Sequence, residues 1–240
     1  MAFVDRRGVA GHLVKRIVDG SVALSALFVL SPVLAIAALG IKMASPGPIF
    51  YRARRIGKGG TIFSMLKFRT MHVNSDQASA ITAPGDLRIF GFGLWLRCLK
   101  IDELPQFWNI LIGDMSLVGP RPEDPMIVER DYTEWMRETL LVAPGVTGPG
   151  SVYGYLYGEA LLDTADPEGS YARHLLPPKL ALERAYMERA SVLGDLDYVM
   201  LTAAAILATV LGRQLPLPAE DVAQARRWAP EGPFPKVRRE

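Results

Sequence analysis

The chain has 240 residues, of which 50% are hydrophobic and 22% charged, and its mean hydropathy is +0.16. This composition excludes collagen-like, disordered and disulfide-rich classes, and the one cysteine, Cys98, cannot form an intramolecular disulfide. The net charge of +2 hides an asymmetry: residues 1–100 carry 14 Lys and Arg against 4 Asp and Glu, whereas residues 101–240 carry 13 against 21. A basic first half suits nucleic acid, anionic lipid or a phosphorylated ligand.

The first predicted element is an apolar stretch of 22 uncharged residues, 20–41, which as a helix is long enough to cross the roughly 30 Å core of a bilayer. Basic residues flank it on both sides, beginning with Lys15 and Arg16, so a straight span would leave one basic group on the unfavourable side. Ser31-Pro32 at its centre predicts a sharp bend, because proline removes a backbone donor. We therefore expect a re-entrant membrane hairpin that breaks at Ser31 and Pro32.

Three other interpretations of this stretch stay open. They are a kinked but fully spanning helix, a signal peptide cleaved near residues 35–37, and a helix buried in a soluble core. The basic segment that follows opposes export, and 22 uncharged residues exceed what a soluble core helix usually contains.

The next segment predicts a turn, a short hairpin and a pair of cations. SPGP at 45–48 ends the apolar element, and β-prone residues on either side of the glycine-rich turn at 57–60 predict the hairpin. KFRTM at 67–71 places Lys67 and Arg69 on the same side of an extended segment. These cations are either solvated surface or ligands for an anion.

The stretch from Arg97 to Pro122 combines a helical apolar pattern with paired acids. Apolar residues recur with the spacing of one helix face, at Leu104, Phe107, Trp108 and Leu111. Pro105 fits only the first turn of such a helix, so Asp102 and Glu103 are expected at its start. Free backbone N–H groups and the helix dipole favour anions there.

Two interpretations of these acids stay open. In the first, Asp102 is a helix N-cap and Glu103 a first-turn acid. In the second, one carboxylate attacks a phosphorus atom and the other holds a divalent cation, as phosphoryl transfer allows. Under the second interpretation four cations neutralise a pyrophosphate, namely Lys67, Arg69, Arg97 and Arg121.

The last third of the chain holds a second apolar stretch at 198–211, whose 14 residues are too few to cross a bilayer. We expect it to pack on the core or to lie at the membrane interface. Residues 214–240 contain five prolines and are predicted to form a loosely ordered tail.

Four motifs occur in order along the chain: SPGP at 45–48, KFRTM at 67–71, DELPQ at 102–106 and GDMSLVGPRP at 113–122. Together they resemble the bacterial sugar transferase family, the monotopic polyprenyl-phosphate phosphoglycosyl transferases. The resemblance runs from residue 15 to about residue 213 and corresponds to the minimal form, without the multi-helix membrane domain of larger members. It implies three parts, which are a basic N-terminus with the membrane hairpin (1–44), a catalytic domain (45–213) and a Pro-rich C-terminal tail (214–240).

The resemblance implies a fold and a reaction. The fold is α+β and mainly helical, with a re-entrant helix-break-helix hairpin and a small cytoplasmic domain that carries interfacial amphipathic helices and a short β-hairpin. The reaction transfers a phospho-sugar from a nucleotide-diphosphate sugar, typically a UDP-sugar, to a polyprenyl phosphate such as undecaprenyl phosphate. UMP leaves, and the polyprenyl-diphospho-sugar begins glycoconjugate assembly at the cytoplasmic face of the bacterial inner membrane.

The resemblance also implies roles for individual residues. Asp102 matches the nucleophile that forms a phospho-sugar intermediate, and Glu103 matches the ligand of Mg²⁺. Arg97 and Lys67 would support the site electrostatically. The positions implied to bind substrate are Arg69, Asp114, Arg121 and Pro122. Ser31-Pro32 matches the re-entrant break of the family.

One segment departs from the family pattern. After PGVTG at 144–148 the family usually continues with a Gln and an Asn-Gly-Arg-like turn, whereas this chain continues with PGSVYGY at 149–155. Residues 153–157 are either a changed wall of the substrate site or an aromatic loop at the membrane interface.

Rival functions stay open. Asp102 could be a general base in a ternary complex, or the chain could be a catalytically idle membrane-anchored module that binds lipid phosphates or recruits enzymes. Nucleic-acid binding is disfavoured, because the basic residues cluster around an apolar segment rather than on a polar face. The sugar, the pathway and the oligomeric state are open, and a homodimer is one of the states that the sequence allows.

Overall fold

The computed structural model describes residues 8–73, 81–82, 85–213 and 215–235, and these are mainly helical with two small sheets, as the α+β prediction requires. The helices are α1 (Gly8–Val29), α2 (Ser31–Ala44), α3 (Gly91–Cys98), α4 (Gln106–Ile112), α5 (Pro125–Asp131), α6 (Glu134–Arg137), α7 (Pro149–Tyr157), α8 (Pro167–Ser170), α9 (Leu176–Met187), α10 (Val192–Val210) and α11 (Ala219–Ala225). The strands are β1 (Phe50–Ile56), β2 (Ile62–Phe68), β3 (Ser116–Val118) and β4 (Gly145–Thr147).

Helices α1 and α2 form a bent pair over the first apolar stretch, and their axes differ in direction by 61°. Pro32 lies in the first turn of α2, where its missing donor is least costly, and the Ser31 hydroxyl donates to Phe28 O at 2.7 Å. The bend predicted at Ser31-Pro32 is therefore confirmed, whereas the re-entrant path through a membrane stays a prediction. Much of the apolar surface of the pair faces outwards, as at Phe28 and Met43, which are 81% and 80% exposed.

The predicted hairpin is confirmed and is longer than its sequence signals indicate. Strands β1 and β2 pair antiparallel along their whole length, with Tyr51 opposite Lys67. Asn109 of α4 holds the outer edge of β2, because its side chain accepts from Leu66 N and donates to Ser64 O, each at 2.9 Å. These bonds fix β2 against α4, the helix that follows the paired acids.

Nothing in the sequence predicts the second sheet, in which β3 and β4 pair parallel. Strands of three residues are too short to show an alternating pattern. Gly145 makes the pairing possible, since a Cβ at this position would lie 2.2 Å from Gly119 N. The sheet matters for the site because Arg121 lies three residues after the end of β3.

The second apolar stretch forms a longer helix than the sequence predicts. Helix α10 begins at Val192, six residues before the predicted start, because Ser191 caps it by accepting a backbone N–H of the first turn at 3.0 Å. With 19 residues it is long and apolar enough to cross a membrane, so the prediction that this stretch is too short is wrong. One face packs on the protein, where Asp195 binds Lys15 of α1 at 2.7 Å.

The described part of the C-terminal segment is packed rather than loosely ordered. Residues 215–235 contain α11, and Val222, Ala225 and Phe234 are buried in the largest apolar cluster. The centre of that cluster is α9, which is buried on nearly all sides. The prolines end and redirect the segment, and apolar side chains between them supply the burial that a disordered tail lacks.

Candidate active site

The paired acids lie in a short turn that precedes the predicted helix. Asp102 and Glu103 belong to a 3-10 turn, Ile101–Glu103, and α4 begins only at Gln106. Lys100 precedes the turn with a left-handed backbone (φ 56°), which redirects the chain after α3. The sequence predicts the acids at the start of the helix, and instead Glu103 lies three residues and Asp102 four residues before Gln106. Both acids are nevertheless buried.

The buried face of α4 also differs from the predicted one. Trp108 is 51% exposed, whereas Phe107 and Leu111 of the predicted face pack on the core with partial burial. The fully buried side chains are those of Gln106, Asn109 and Ile110. The polar side chains of this face form specific contacts, as Asn109 does with β2, or line the site. A pattern based on apolar spacing cannot predict them.

Three cations surround the carboxylate of Glu103. Arg121 donates to both oxygens, at 2.5 Å to Oε1 and 3.1 Å to Oε2, while Lys67 Nζ and Lys100 Nζ lie 3.4 and 3.7 Å from Oε1. Burial acts to raise the pKa of Glu103, but the cations outweigh it and hold that pKa well below its ordinary range. Glu103 is therefore a permanent anion, and a bidentate arginine fixes its orientation.

Asp102 has a different environment from its neighbour. Its Oδ1 atom is buried and accepts no hydrogen bond in the described part of the chain, so the N-cap interpretation of this residue is wrong. Burial raises the pKa of Asp102, and the adjacent charge of Glu103 raises it further, against the opposing effect of the nearby cations. The two neighbouring carboxylates therefore differ: Glu103 is held by cations, whereas Asp102 Oδ1 has no partner among the described residues.

Lys67 and Arg97 lie beside the two acids, as the sequence indicates. Burial lowers the pKa of Lys67 from 10.5 to about 8, although Glu103 acts to raise it. Burial also lowers the pKa of Arg97, and Asp102 is the largest charge acting against this. Arg97 additionally donates to Thr82 Oγ1 at 3.3 Å, so its guanidinium is held in the site by a second contact.

Arg69 and Asp114, which are also predicted to bind substrate, form hydrogen bonds within the protein. The guanidinium of Arg69 donates to Pro48 O at 2.6 Å and to Ser45 O and Oγ at 2.8 Å, and thereby clamps the SPGP turn. The Asp114 carboxylate accepts from Asn109 Nδ2 at 3.2 Å, just after α4 ends. Neither set of contacts includes the paired acids, and a substrate contact by these residues stays a prediction.

The last predicted ligand, Pro122, is buried directly after Arg121. A proline after Arg121 restricts the Arg121 backbone to extended conformations. A direct contact between Pro122 and substrate also stays a prediction.

Three residues at or near the site are not named individually by the sequence prediction, although Tyr155 lies in the segment 153–157 that it marks as a candidate wall of the substrate site. Lys100 reaches Glu103, and the amide of Gln106 is buried with neither its nitrogen nor its oxygen bonded within the described ranges. Tyr155 of α7 places its ring 4.7 Å from Lys100 Nζ. Gln106 lies within the DELPQ motif, which is the only hint of its role, and Lys100 is one basic residue among many.

The segment that departs from the family pattern is a helix and not a loop. Helix α7 buries Tyr153 completely, with its hydroxyl donating to Pro233 O at 3.0 Å, and the Tyr157 hydroxyl donates to Leu215 O at 2.8 Å. These two tyrosines hold the C-terminal segment on the core. Of the three tyrosines in this helix, Tyr155 is the one in contact with a cation of the site.

A cavity of about 290 Å³ lies away from the paired acids, between α1 and the residues around β3. Its polar wall is bonded internally, since Lys15 binds Asp195 and the Ser116 hydroxyl donates to Asp19 Oδ2, each at 2.7 Å. These bonds attach α1 to the rest of the protein. The cavity therefore lies where the bent pair is attached to the rest of the protein. The paired acids are not among its lining residues.

Comparison with known proteins agrees with this arrangement. A sequence model described as "Bacterial sugar transferase" matches residues 10–209. The chain is 38% identical over 207 residues to the UDP-glucose:undecaprenyl-phosphate glucose-1-phosphate transferase of Caulobacter vibrioides, which covers 84% of this chain and 72% of that protein.

Two other relatives are longer than this chain. The chain is 37% identical over 198 residues to a transferase of the same name from Xanthomonas campestris, and it is 43% identical over 147 residues to the UDP-N-acetylgalactosamine-undecaprenyl-phosphate N-acetylgalactosaminephosphotransferase of Aeromonas hydrophila. These matches cover 80% and 59% of this chain but only 38% and 34% of the relatives. The paired acids, their cations and the matched residues lead to one assignment: the chain belongs to the bacterial sugar transferase family.

Proposed function

We propose that this chain transfers a phospho-sugar from a UDP-sugar to undecaprenyl phosphate, through a covalent intermediate on Asp102. The unequal pair of acids is the observation that carries the proposal. Glu103 is held by three cations, whereas Asp102 Oδ1 accepts no hydrogen bond among the described residues. An unengaged carboxylate oxygen in a cationic site is suited to attack an anionic phosphorus centre.

The reaction has two displacements at one phosphorus atom. First, a carboxylate oxygen of Asp102 attacks the β-phosphorus of the UDP-sugar, the bond to the bridging oxygen of the diphosphate breaks, and UMP leaves with those electrons. Then a phosphate oxygen of undecaprenyl phosphate attacks the same phosphorus, and the Asp102 carboxylate leaves. Charge balances in both steps without a proton transfer, so the site needs cations and a nucleophile more than it needs a general acid.

The surrounding cations have two tasks in this scheme. Lys67, Lys100 and Arg121 offset the charge of the phosphates, and Glu103 keeps these cations together when no substrate is present. Glu103 also acts on its neighbour, because its charge raises the pKa of Asp102 and so keeps the nucleophile basic. The same effect leaves Asp102 less ionised in acid than an ordinary carboxyl group.

We propose that the site binds Mg²⁺, because two of its carboxylate oxygens have unused lone pairs. Glu103 Oε2 accepts a hydrogen bond from Arg121 at 3.1 Å and retains a second lone pair, and Asp102 Oδ1 has no hydrogen bond within the described residues. No cluster of three acidic, His or Cys side chains occurs in the residues that the structure describes, so a bound ion would have to take its other ligands from phosphate and water. We propose Glu103 as the protein ligand of this ion, which would neutralise phosphate charge when bound.

We further propose that the bent pair of α1 and α2 is a re-entrant hairpin on the cytoplasmic side of a bacterial inner membrane. The 61° bend, the outward-facing apolar residues and the basic flanks support this arrangement. The acceptor's phosphate lies at headgroup depth while its chain remains in lipid, so a hairpin that returns to the cytoplasmic side would keep the site at that depth.

The donor sugar is left open by the relatives, since their names specify glucose in two cases and N-acetylgalactosamine in another. The segment at 149–157, which departs from the family pattern, gives a physical reason not to adopt either one. A panel of donors that includes both sugars is therefore part of the test.

The decisive experiment uses the full chain in detergent with Mg²⁺, a panel of UDP-sugars and undecaprenyl phosphate, and measures UMP release with and without the metal. We expect one donor to release UMP, and we expect intact-mass analysis with that donor alone to show a phospho-sugar adduct. Asp102→Asn should lose both signals, provided that deamidation is excluded by mass. Asp166→Asn is a matched control, because Asp166 is an exposed carboxylate that caps α8.

The outcomes separate the mechanisms. UMP release without an adduct would favour Asp102 as a general base, and an active Asp102→Asn protein would remove it from the chemistry. No UMP from any donor would favour the idle, membrane-anchored module.

A further inference from the structure

Helix α7 reaches the site although its sequence, PGSVYGYLY, contains no charged side chain. Its contribution is the half-buried Tyr155, whose ring lies 4.7 Å from Lys100 Nζ and whose hydroxyl donates to Cys98 O at 3.2 Å. The ring therefore contacts the residue just before the paired acids, and the hydroxyl is bonded to the end of α3.

Lys100 is held in an unusual conformation. It is the one residue other than glycine with a positive φ among the described residues, at 56°, a backbone conformation that is strained for a residue with a side chain. Two backbone bonds hold it, from Lys100 N to Arg97 O at 3.1 Å and from Glu103 N to Lys100 O at 3.2 Å. A strained residue maintained beside reactive groups indicates that its placement matters for the site.

The Lys100 side chain is held between two partners. Its ammonium lies 3.7 Å from Glu103 Oε1 on one side and 4.7 Å from the Tyr155 ring on the other. Its side chain is still 33% exposed, so this ammonium can meet a ligand that enters from solvent. Lys67 and Arg121 are less exposed and bind Glu103 more closely.

We infer that Tyr155 is a positioning residue, which holds the Lys100 ammonium beside Glu103 so that it meets a phosphate of the nucleotide donor. The inference deepens the proposed function and rests on it, since it takes the donor to be a nucleoside diphosphate sugar. A lysine side chain has four flexible bonds, and a partner that restricts them lowers the entropy lost when the ammonium binds phosphate. The hydroxyl of Tyr155 fixes the ring, and the face of the ring fixes the ammonium.

The phenol remains a neutral donor over the working pH range. Burial raises the pKa of Tyr155, while a hydrogen bond with Thr209 of α10 acts against that rise. The ring therefore keeps the electron-rich face that attracts an ammonium, and its hydroxyl keeps the proton that it donates.

The test measures two quantities for each variant: UDP binding by calorimetry and the KM for the active donor. Tyr155→Leu removes the aromatic face but retains an apolar side chain, and we expect it to weaken UDP binding and to raise KM by about 2- to 30-fold, with a smaller change in kcat. Tyr155→Phe retains the ring but loses the bond to Cys98 O, so its KM should lie between those of the wild type and Tyr155→Leu. Tyr157→Leu is the matched control, because it truncates a tyrosine of the same helix that bonds to Leu215 instead.

A double-mutant cycle with Lys100→Met distinguishes positioning from general damage to α7. If Tyr155 acts through Lys100, Tyr155→Leu should have no further effect in the Lys100→Met protein. Independent, multiplying effects of the two changes would overturn the inference, as would a Tyr155→Phe protein as impaired as Tyr155→Leu. If the wild type binds UDP but does not turn over, the proposed function is refuted, while the UDP-binding comparison of the variants still tests the inference. If the wild type binds no UDP, both are refuted.

Discussion

Raising the pH through the pKa of Lys67 should inactivate the site and stabilise the fold at the same time. Burial lowers this pKa from 10.5 to about 8, so the ammonium is about 90% protonated at pH 7 and about 10% protonated at pH 9. If the cation is needed to offset phosphate charge, kcat/KM should fall about tenfold for each pH unit above 8.

The stability effect has the opposite sign. The unfolded chain keeps the Lys67 proton up to about pH 10.5, whereas the folded chain loses it near pH 8. Between these values the unfolded state binds more protons, so the free energy of unfolding rises with pH. The full shift of about 2.5 pKa units corresponds to a rise on the order of 3 kcal/mol.

The assay measures UMP release and thermal unfolding in the same detergent buffers from pH 6 to pH 10. Lys67→Arg is the informative variant, because a guanidinium stays protonated throughout, and it should lose the alkaline limb of the activity profile. Lys67→Met should show uniformly low activity and no rise in stability across this window. A wild-type profile that is flat to pH 10, or a Lys67→Arg profile with the same limb, would refute the reasoning.

Two further substitutions test the geometry around the acids. Arg121→Met removes both bonds to the buried Glu103 and should lower kcat/KM by about 10²- to 10³-fold. Arg121→Lys should lie in between, and a kcat/KM for Arg121→Met within threefold of the wild type would contradict the role of this pair. Gly145→Ala should lower the free energy of unfolding by about 1–3 kcal/mol, because its Cβ would lie 2.2 Å from Gly119 N. The control is Gly154→Ala, where a Cβ meets nothing within 4 Å, and its helical position should raise the free energy of unfolding by up to about 1 kcal/mol. Equal Tm changes for the two variants would argue against the packing explanation.

The features predicted correctly are those that depend on neighbouring residues. The bend at Ser31-Pro32 follows from the missing donor of proline, and the β1–β2 hairpin follows from its glycine-rich turn. Apolar spacing alone places the start of α10 too late, because Ser191 caps the helix before its apolar residues begin and Asp195 lies within its first turn. The segment at 215–235 was misjudged because its prolines masked apolar residues that are buried against α9.

The sequence by itself determined that two adjacent acids follow a basic, apolar first half, and the motifs around them pointed to the family. It could not say which acid is free to react. That difference depends on Lys67 and Arg121, which lie 36 and 18 residues away from Glu103 in the chain. Only the pairing of β1 with β2, the parallel β3–β4 sheet and the left-handed backbone at Lys100 bring those cations to one carboxylate and leave Asp102 Oδ1 without a partner in the described residues. Contacts between distant segments are set by packing, and packing is not encoded in local residue spacing.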